Sequence, residues 1–196
     1  MEEMENLRHT LTVLLALSLL LLPTCAPNPW VGKPAPNFTA ADMGGNQISL
    51  SAYRGKVVLL DFWATWCAGC LMEMPDVKQL YDKYKDKGFV VIGIDLDTDQ
   101  GQMETFIKKQ NIEWPQILDV RRGGGEISQL YRIDVIPSTF LIDKDGIIRY
   151  VDLSGPELER AVQLLIRVSA KGQTPHVSRD LPTALQFQEK LLHFEL

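Results

Sequence analysis

The apolar patterning of the chain predicts an α/β fold: a central mixed sheet flanked by helices on both faces, with a strand or hairpin extension on its N-terminal side. Two nearly continuous apolar runs of strand length, Lys56-Val-Val-Leu-Leu-Asp-Phe-Trp63 and Phe89-Val-Val-Ile-Gly-Ile-Asp95, are separated by a segment with helical spacing. Runs of this kind mark central strands covered on both faces. Downstream, Ser138-Thr-Phe-Leu-Ile-Asp143, the turn Asp143-Lys-Asp-Gly146 and residues 147–151 read as an antiparallel hairpin, which makes the sheet mixed.

The chain opens on a segment set apart from the fold. Residues 11–22 form an uncharged apolar run, short for a bilayer span but of the length of a signal-peptide core. Residues 1–26 are therefore read as a signal peptide or a lipoprotein signal. The run ends Leu22-Pro-Thr-Cys25, which is similar to a bacterial lipoprotein signal with Cys25 as the acylated residue. Cleavage to a soluble form and retention as an anchor are the alternatives, and all three put the domain outside the cytoplasm, in the periplasm or at an extracytoplasmic membrane face.

After the Pro-rich lead (Pro27, Pro29, Pro34, Pro36), the stretch Gly44-Gly-Asn-Gln-Ile-Ser-Leu50 turns into a short strand. From Cys67, Leu71, Met74, Val77 or Lys78, Tyr81 and Tyr84 recur at helical spacing until Gly88, with Pro75 inside the helix as a source of a kink. Met103, Phe106 and Ile107 mark a second helix, residues 114–118 a short extended segment, and residues 126–131 a brief helix before Ile136-Pro137. Ser154-Gly-Pro-Glu157 has the capping-box pattern, ahead of a helix with Leu158, Ala161, Val162, Leu165 and Val168 on its apolar face. Residues 27–169 thus form one domain. Residues 170–196 are a C-terminal tail, whose Leu181, Leu185, Leu191 and Leu192 suit a docked helix or a partner contact.

At 196 residues and 45% hydrophobic, the chain can build one core. The net charge of −5, with acids and bases interspersed, offers no basic face for nucleic acid. Three cysteines are too few for a disulfide framework, and His9, His176 and His193 are scattered, so a zinc site lacks ligands. No cofactor is implied.

Cys67 and Cys70 carry the chemistry. They stand one helical turn apart, directly after a buried strand, the arrangement of a reversible dithiol/disulfide switch. A thiolate at a helix start is favoured by free backbone N–H groups and the positive end of the dipole, so Cys67 is expected to attack and Cys70 to resolve the mixed disulfide. Trp63 and Trp66 flank the pair. An exposed aromatic there gives a cysteine-bearing protein an apolar surface to dock on.

Asp61-Phe-Trp-Ala-Thr-Trp-Cys-x-x-Cys70 followed by Met72-Glu-Met-Pro75 resembles the thioredoxin-like superfamily, in particular its secreted TlpA/ResA-like thiol-disulfide oxidoreductases, relatives of the AhpC/TSA redoxins. The resemblance extends from Gly32-Lys-Pro-Ala-Pro-Asn-Phe38 through residues 50–60 to Ile136-Pro-Ser-Thr-Phe-Leu-Ile-Asp-Lys-Asp-Gly146, and covers most of residues 32–168. It implies a thioredoxin-like fold and disulfide exchange with cysteine-containing proteins. It further implies that Pro137 is the cis proline facing the disulfide, with Ile136 and Trp66 lining the substrate contact. Asp61 stands at the position of the buried acid beneath the cysteines and Glu73 at that of the acid three residues past the second cysteine. A buried carboxyl at Asp61 would have a raised pKa and relay a proton to or from Cys70; a polar pocket is its bland alternative, and a solvated first-turn residue that of Glu73.

By analogy the branch is reducing and draws electrons from a membrane thiol-disulfide donor, in cytochrome c maturation or in repair of misoxidised secreted proteins. The Ala68-Gly69 spacer lacks the proline common next to the second cysteine, which bears on the redox potential. Two rivals stand beside exchange. A peroxiredoxin-like peroxidase has a threonine three positions before its active cysteine, where this chain has Ala64; a redox-sensing or binding module predicts negligible exchange.

Overall fold

A computed structural model describes residues 28–120 and 125–168. The expected signal segment with Cys25, part of the loop expected at 121–125, and the tail lie outside the described residues. A small antiparallel sheet comes first, β1 (Thr39–Ala41) with β2 (Gln47–Ser49), followed by a 3-10 turn at Leu50–Tyr53. Then come β3 (Val57–Trp63), α1 (Ala68–Tyr84), β4 (Phe89–Asp95), α2 (Gln100–Gln110) and β5 (Gln116–Leu118). The chain continues through α3 (Glu126–Leu130), β6 (Ser138–Ile142), β7 (Ile148–Val151) and α4 (Gly155–Arg167).

The main sheet has the order β5-β4-β3-β6-β7. β3, β4 and β5 are parallel neighbours, whereas β6 and β7 are antiparallel, so the predicted mixed sheet is present. Every residue of β3 is buried. Leu59 and Trp63 face a core shared with Met74 and Val77 of α1, Met103 of α2 and Leu158 and Val162 of α4. Val58, Leu60 and Phe62 face a second core with Phe38, Ile48, Ile127 and Tyr131. The α/β, thioredoxin-like architecture follows: α1, α2 and α4 on one face, α3 and the small N-terminal sheet on the other.

The buried stripe of α1 is Cys70, Met74, Val77, Leu80 and Tyr84, with Leu71 and Tyr81 only half-buried. Leu80 thus fills the place periodicity gave to Tyr81, because steps of four, three, three and four residues from Cys70 keep the stripe over the sheet. α1 runs on through Pro75, which removes only the N–H that would have served Leu71. The capping box at Ser154 does not form: Ser154 is the N-cap of α4, but its side chain makes no capping hydrogen bond. Pro156 explains part of this, since it takes away one of the two N–H groups an N-cap side chain reaches.

The lead before β1 is tied down by aromatic contacts. Tyr131, fully buried, packs against Trp30, Phe62 and Phe140 at 5.9, 5.6 and 5.1 Å between ring centres, and its hydroxyl donates to the Pro36 carbonyl at 2.7 Å. Pairs of this kind add about 0.5–1.5 kcal/mol each beyond burial. In urea unfolding, Tyr131→Ala is expected to cost about 3–5 kcal/mol, whereas Tyr131→Phe, which keeps the ring and loses the hydrogen bond, costs about 1 kcal/mol. Equal costs for the two would show that the hydroxyl, not the ring, holds the lead.

Candidate active site around the Cys67 and Cys70 pair

β3 delivers the chain to the site and ends at Trp63. The following loop is held by Asp97, whose carboxylate accepts the Thr65 N–H and the Thr65 hydroxyl, each at 2.9 Å. Asp97 is itself oriented by its own N–H, which donates to Asp95 Oδ1 at 2.7 Å. Cys67 is the N-cap of α1, in extended backbone geometry, and its Sγ accepts the Cys70 N–H at 3.1 Å. An N–H that would otherwise lack a helical partner is thereby aimed at sulfur, where it favours a thiolate.

Cys67 and Cys70 are joined by a disulfide, with their Cα atoms 5.3 Å apart. Cys67 is the more exposed of the two, 7% against 3%, which suits it to meet a partner first. β6 pairs antiparallel to β3, with Ser138 opposite Phe62, so the residues just before β6 arrive at the cysteine end of β3. The Ile136–Pro137 peptide there is cis. The proline ring lies over the spacer between the cysteines: a Cβ on Gly69 would sit 3.2 Å from Pro137 Cδ. Ile136 is half-buried and packs against both cores, whereas Val135 is 74% exposed. With Trp66 at 66% and Met72 at 76%, three large apolar side chains close to the pair in the chain or the fold face solvent.

Asp61 is buried on β3, opposite Thr139 of β6 and Gly93 of β4. Burial, and secondarily the charge of Glu73, push its carboxyl up to about 7. Glu73 is half-buried on α1 and also raised, by burial first and then by Asp152 and Asp76. The structure therefore puts Asp61 within the electrostatic reach of Glu73, on the strand that leads into the cysteines. Asp95 is a second buried acid, pushed up to about 8 by burial and, less, by the charge of Asp97, against the lowering effect of the Asp97 N–H. Among the described residues no group of three or more His, Cys, Asp or Glu side chains is arranged to hold a metal ion.

Sequence reasoning singled out neither the Thr65 and Asp97 pair nor Asp152, which accepts from the Ser138 hydroxyl at 2.7 Å and the Thr139 N–H at 3.0 Å. The Asp95-Leu-Asp97 run closing an apolar strand is the signal that flags the first; Asp152, at φ 55, carries none in the sequence.

The AhpC/TSA family model matches residues 31–151. The thiol-disulfide oxidoreductase ResA of Bacillus thuringiensis subsp. konkukian (strain 97-27) is 43% identical over 116 residues, which are 59% of this chain and 65% of that protein. The match thus spans less than two thirds of that relative's length. ResA of Bacillus subtilis (strain 168) is 30% identical over 143 residues, 73% of this chain and 78% of the relative. Among solved structures, the thioredoxin domain of a thiol-disulfide oxidoreductase from Bacteroides vulgatus superposes with a TM-score of 0.63 at 32% identity, over 69% of this chain and 97% of that one. A thiol:disulfide interchange protein from Bacteroides sp. gives 0.62 at 30% identity, over 74% and 96%.

The raised affinity of Asp61 for its proton makes stability depend on pH in a set direction. The folded state holds the proton up to about 7 while the unfolded chain releases it near 3.8, so folding is progressively penalised as pH rises between these values and the penalty is constant above them. Asp61→Asn is therefore expected to leave stability nearly unchanged below pH 4 and to raise it at pH 8, by up to about 4 kcal/mol. Urea titrations of the oxidised protein at both pH values measure this, and an equal effect at both would place the Asp61 carboxyl in a solvated environment.

Proposed function

We propose that this chain, which belongs to the AhpC/TSA family and to the TlpA/ResA-like branch of the thioredoxin superfamily, is a thiol-disulfide oxidoreductase acting through Cys67 and Cys70 on cysteine-containing proteins outside the cytoplasm. The observation that carries the reading is the placement of Cys67 Sγ at the start of α1, receiving the Cys70 N–H, with Trp66 exposed beside it.

As a reductant, the dithiol form begins with attack of the Cys67 thiolate on a substrate disulfide. The substrate S–S bond breaks, a mixed disulfide to Cys67 forms, and the first substrate sulfur leaves as a thiolate that takes up a proton. Cys70 then gives its proton to the Asp61 carboxylate and attacks Cys67 Sγ, and the second substrate sulfur leaves. The substrate has gained two electrons and the Cys67–Cys70 disulfide is formed. Asp61, raised toward neutrality by burial, suits both halves of this proton exchange. Glu73, whose charge acts on Asp61, tunes it. Pro137, against the spacer, Ile136 before it and the exposed Trp66 form the face presented to the substrate peptide.

Return to the dithiol needs two electrons from outside, and a membrane thiol-disulfide donor fits that need. The apolar run at residues 11–22 and the use of a disulfide support an extracytoplasmic site, in a periplasm or at a membrane face, with Cys25 as a candidate lipid anchor. Reduction of the cysteines of apocytochrome c, or of misoxidised secreted proteins, is the fitting task.

Cys67→Ser is expected to abolish exchange with a protein disulfide, and Cys70→Ser to accumulate mixed disulfides that dithiothreitol releases; absence of trapping would count against the assigned order of attack. The equilibrium potential of the pair in glutathione or dithiothreitol buffers fixes direction. A value near roughly −270 mV agrees with a net reductant, and one near roughly −120 mV would make the protein an oxidant while leaving exchange intact.

A further inference from the structure

On the α1 face of the sheet, Gly93 of β4 is paired laterally with Asp61 of β3 on one side and Gln116 of β5 on the other. The three residues stand in line and project to one face. The Gln116 side chain fills the space above Gly93: a Cβ there would overlap its amide, Oε1 most closely, with Nε2 2.5 Å away. That position is about one strand spacing, roughly 4.8 Å, from the Cβ of Asp61. The Gln116 carbonyl oxygen is fixed by the Trp63 indole N–H at 2.9 Å, and Trp63 is two residues beyond Asp61 on the same face of β3. Gln116 Nε2 is left buried without a hydrogen-bond partner among the described residues, as is Asp95 Oδ2, two residues beyond Gly93 on the same face. An unmade bond to a buried donor or acceptor is costly, because the group has given up water and gained nothing in return, so two such groups on one buried face call for a role beyond packing.

We propose that Gln116 is a positioning residue of the exchange site: pinned by Trp63 over Gly93, its unpaired NH2 group becomes the buried donor for Asp61 once that carboxyl ionises, with Asp95 as its second acceptor. This rests on the exchange reading and adds to it the group that receives the charge when Asp61 ionises. The charge that acts on Asp61 is that of Glu73 on α1, which is itself raised by the charges of Asp152 and Asp76, and on the neighbouring strand Asp95, two residues beyond Gly93, is raised by the charge of Asp97. From β6 the facing group is Thr139, whose hydroxyl is engaged by the Leu153 carbonyl at 3.2 Å. A neutral amide donor is what lets a carboxylate form in that surrounding, and Gly93 is the residue whose missing side chain lets the amide reach across β4.

The test is a carboxyl-carbon NMR titration of the oxidised full chain, with the Asp61 resonance assigned by its loss in Asp61→Asn. Gln116→Met keeps length and volume but removes the donor. The Asp61 midpoint is expected to rise by about one pH unit, a tenfold gain in proton affinity. In the reduced protein, the pH profile of exchange is expected to move the same way, and to show no further movement when Gln116→Met is added to Asp61→Asn. A folded Gln116→Met variant with an unmoved Asp61 midpoint overturns the proposal. If that variant does not fold, Gln116→Asn, which withdraws the donor by one methylene, is read by the same criteria. The titration needs no activity, so a wild-type protein without exchange whose Asp61 still responds to Gln116 would overturn the functional reading and leave this assignment standing.

Discussion

Burial of β3 on both faces and along both edges is the constraint from which the rest of the molecule is organised. Its alternating side chains supply two cores at once, Leu59 and Trp63 to one and Val58, Leu60 and Phe62 to the other. A strand so enclosed cannot shift register by one residue without exchanging its two faces. Its end at Trp63 therefore fixes where α1 begins, and with it the placement of Cys67 at a helix N-terminus. The antiparallel pairing with β6 fixes Pro137 against Gly69 in the same way. The reactive pair owes its geometry to the two central strands that end beside it.

Against this rigid frame the electrostatics are in tension. The N-terminal end of α1 favours a thiolate by about 0.3–1 kcal/mol, and up to about 2 where partly buried. Acids surround the same end of the sheet, and a like charge at 4 Å in a partly buried setting opposes an anion by several kcal/mol. The disulfide, being neutral, escapes the conflict; the dithiol meets it. Asp61 and Glu73 relieve it by holding protons more tightly than exposed carboxyls do. Thiol and carboxyl thus compete for the same proton, which is what a relay requires.

Much of this was legible in the chain because it depends on local pattern. The apolar runs at 56–63 and 89–95 gave their strands to within a residue, and the change of period at Cys67 gave α1. The seat of Cys67 and Cys70 between strand and helix followed directly. Contacts across the sheet were not legible. Trp63 and Gln116 are joined over 53 residues, and Thr65 and Asp97 over 32, by side-chain bonds that leave no periodic trace. Ser154 shows the opposite failure: a local pattern present in sequence that Pro156 keeps from closing. Leu80 was missed because it and Tyr81 stand three and four residues past Val77, both helical spacings, and only the sheet beneath decides between them.

The lead ahead of β1 has an effect at the margins of the sheet. Gly32 and Lys33 exchange backbone hydrogen bonds with Ile148 at 2.8 and 2.9 Å, alongside β7, and the Met43 N–H donates to the Gln116 carbonyl at 3.0 Å, against β5. Each outer strand thus has part of its backbone already engaged by the protein's own chain. The proposed exchange with extended, cysteine-bearing polypeptides would expose the chain to capturing them by strand addition, a route that leads from recognition to aggregation. Occupying the margins with its own N-terminal segment narrows that route and leaves the client to be met at the disulfide end, where contact can be brief and release is coupled to chemistry.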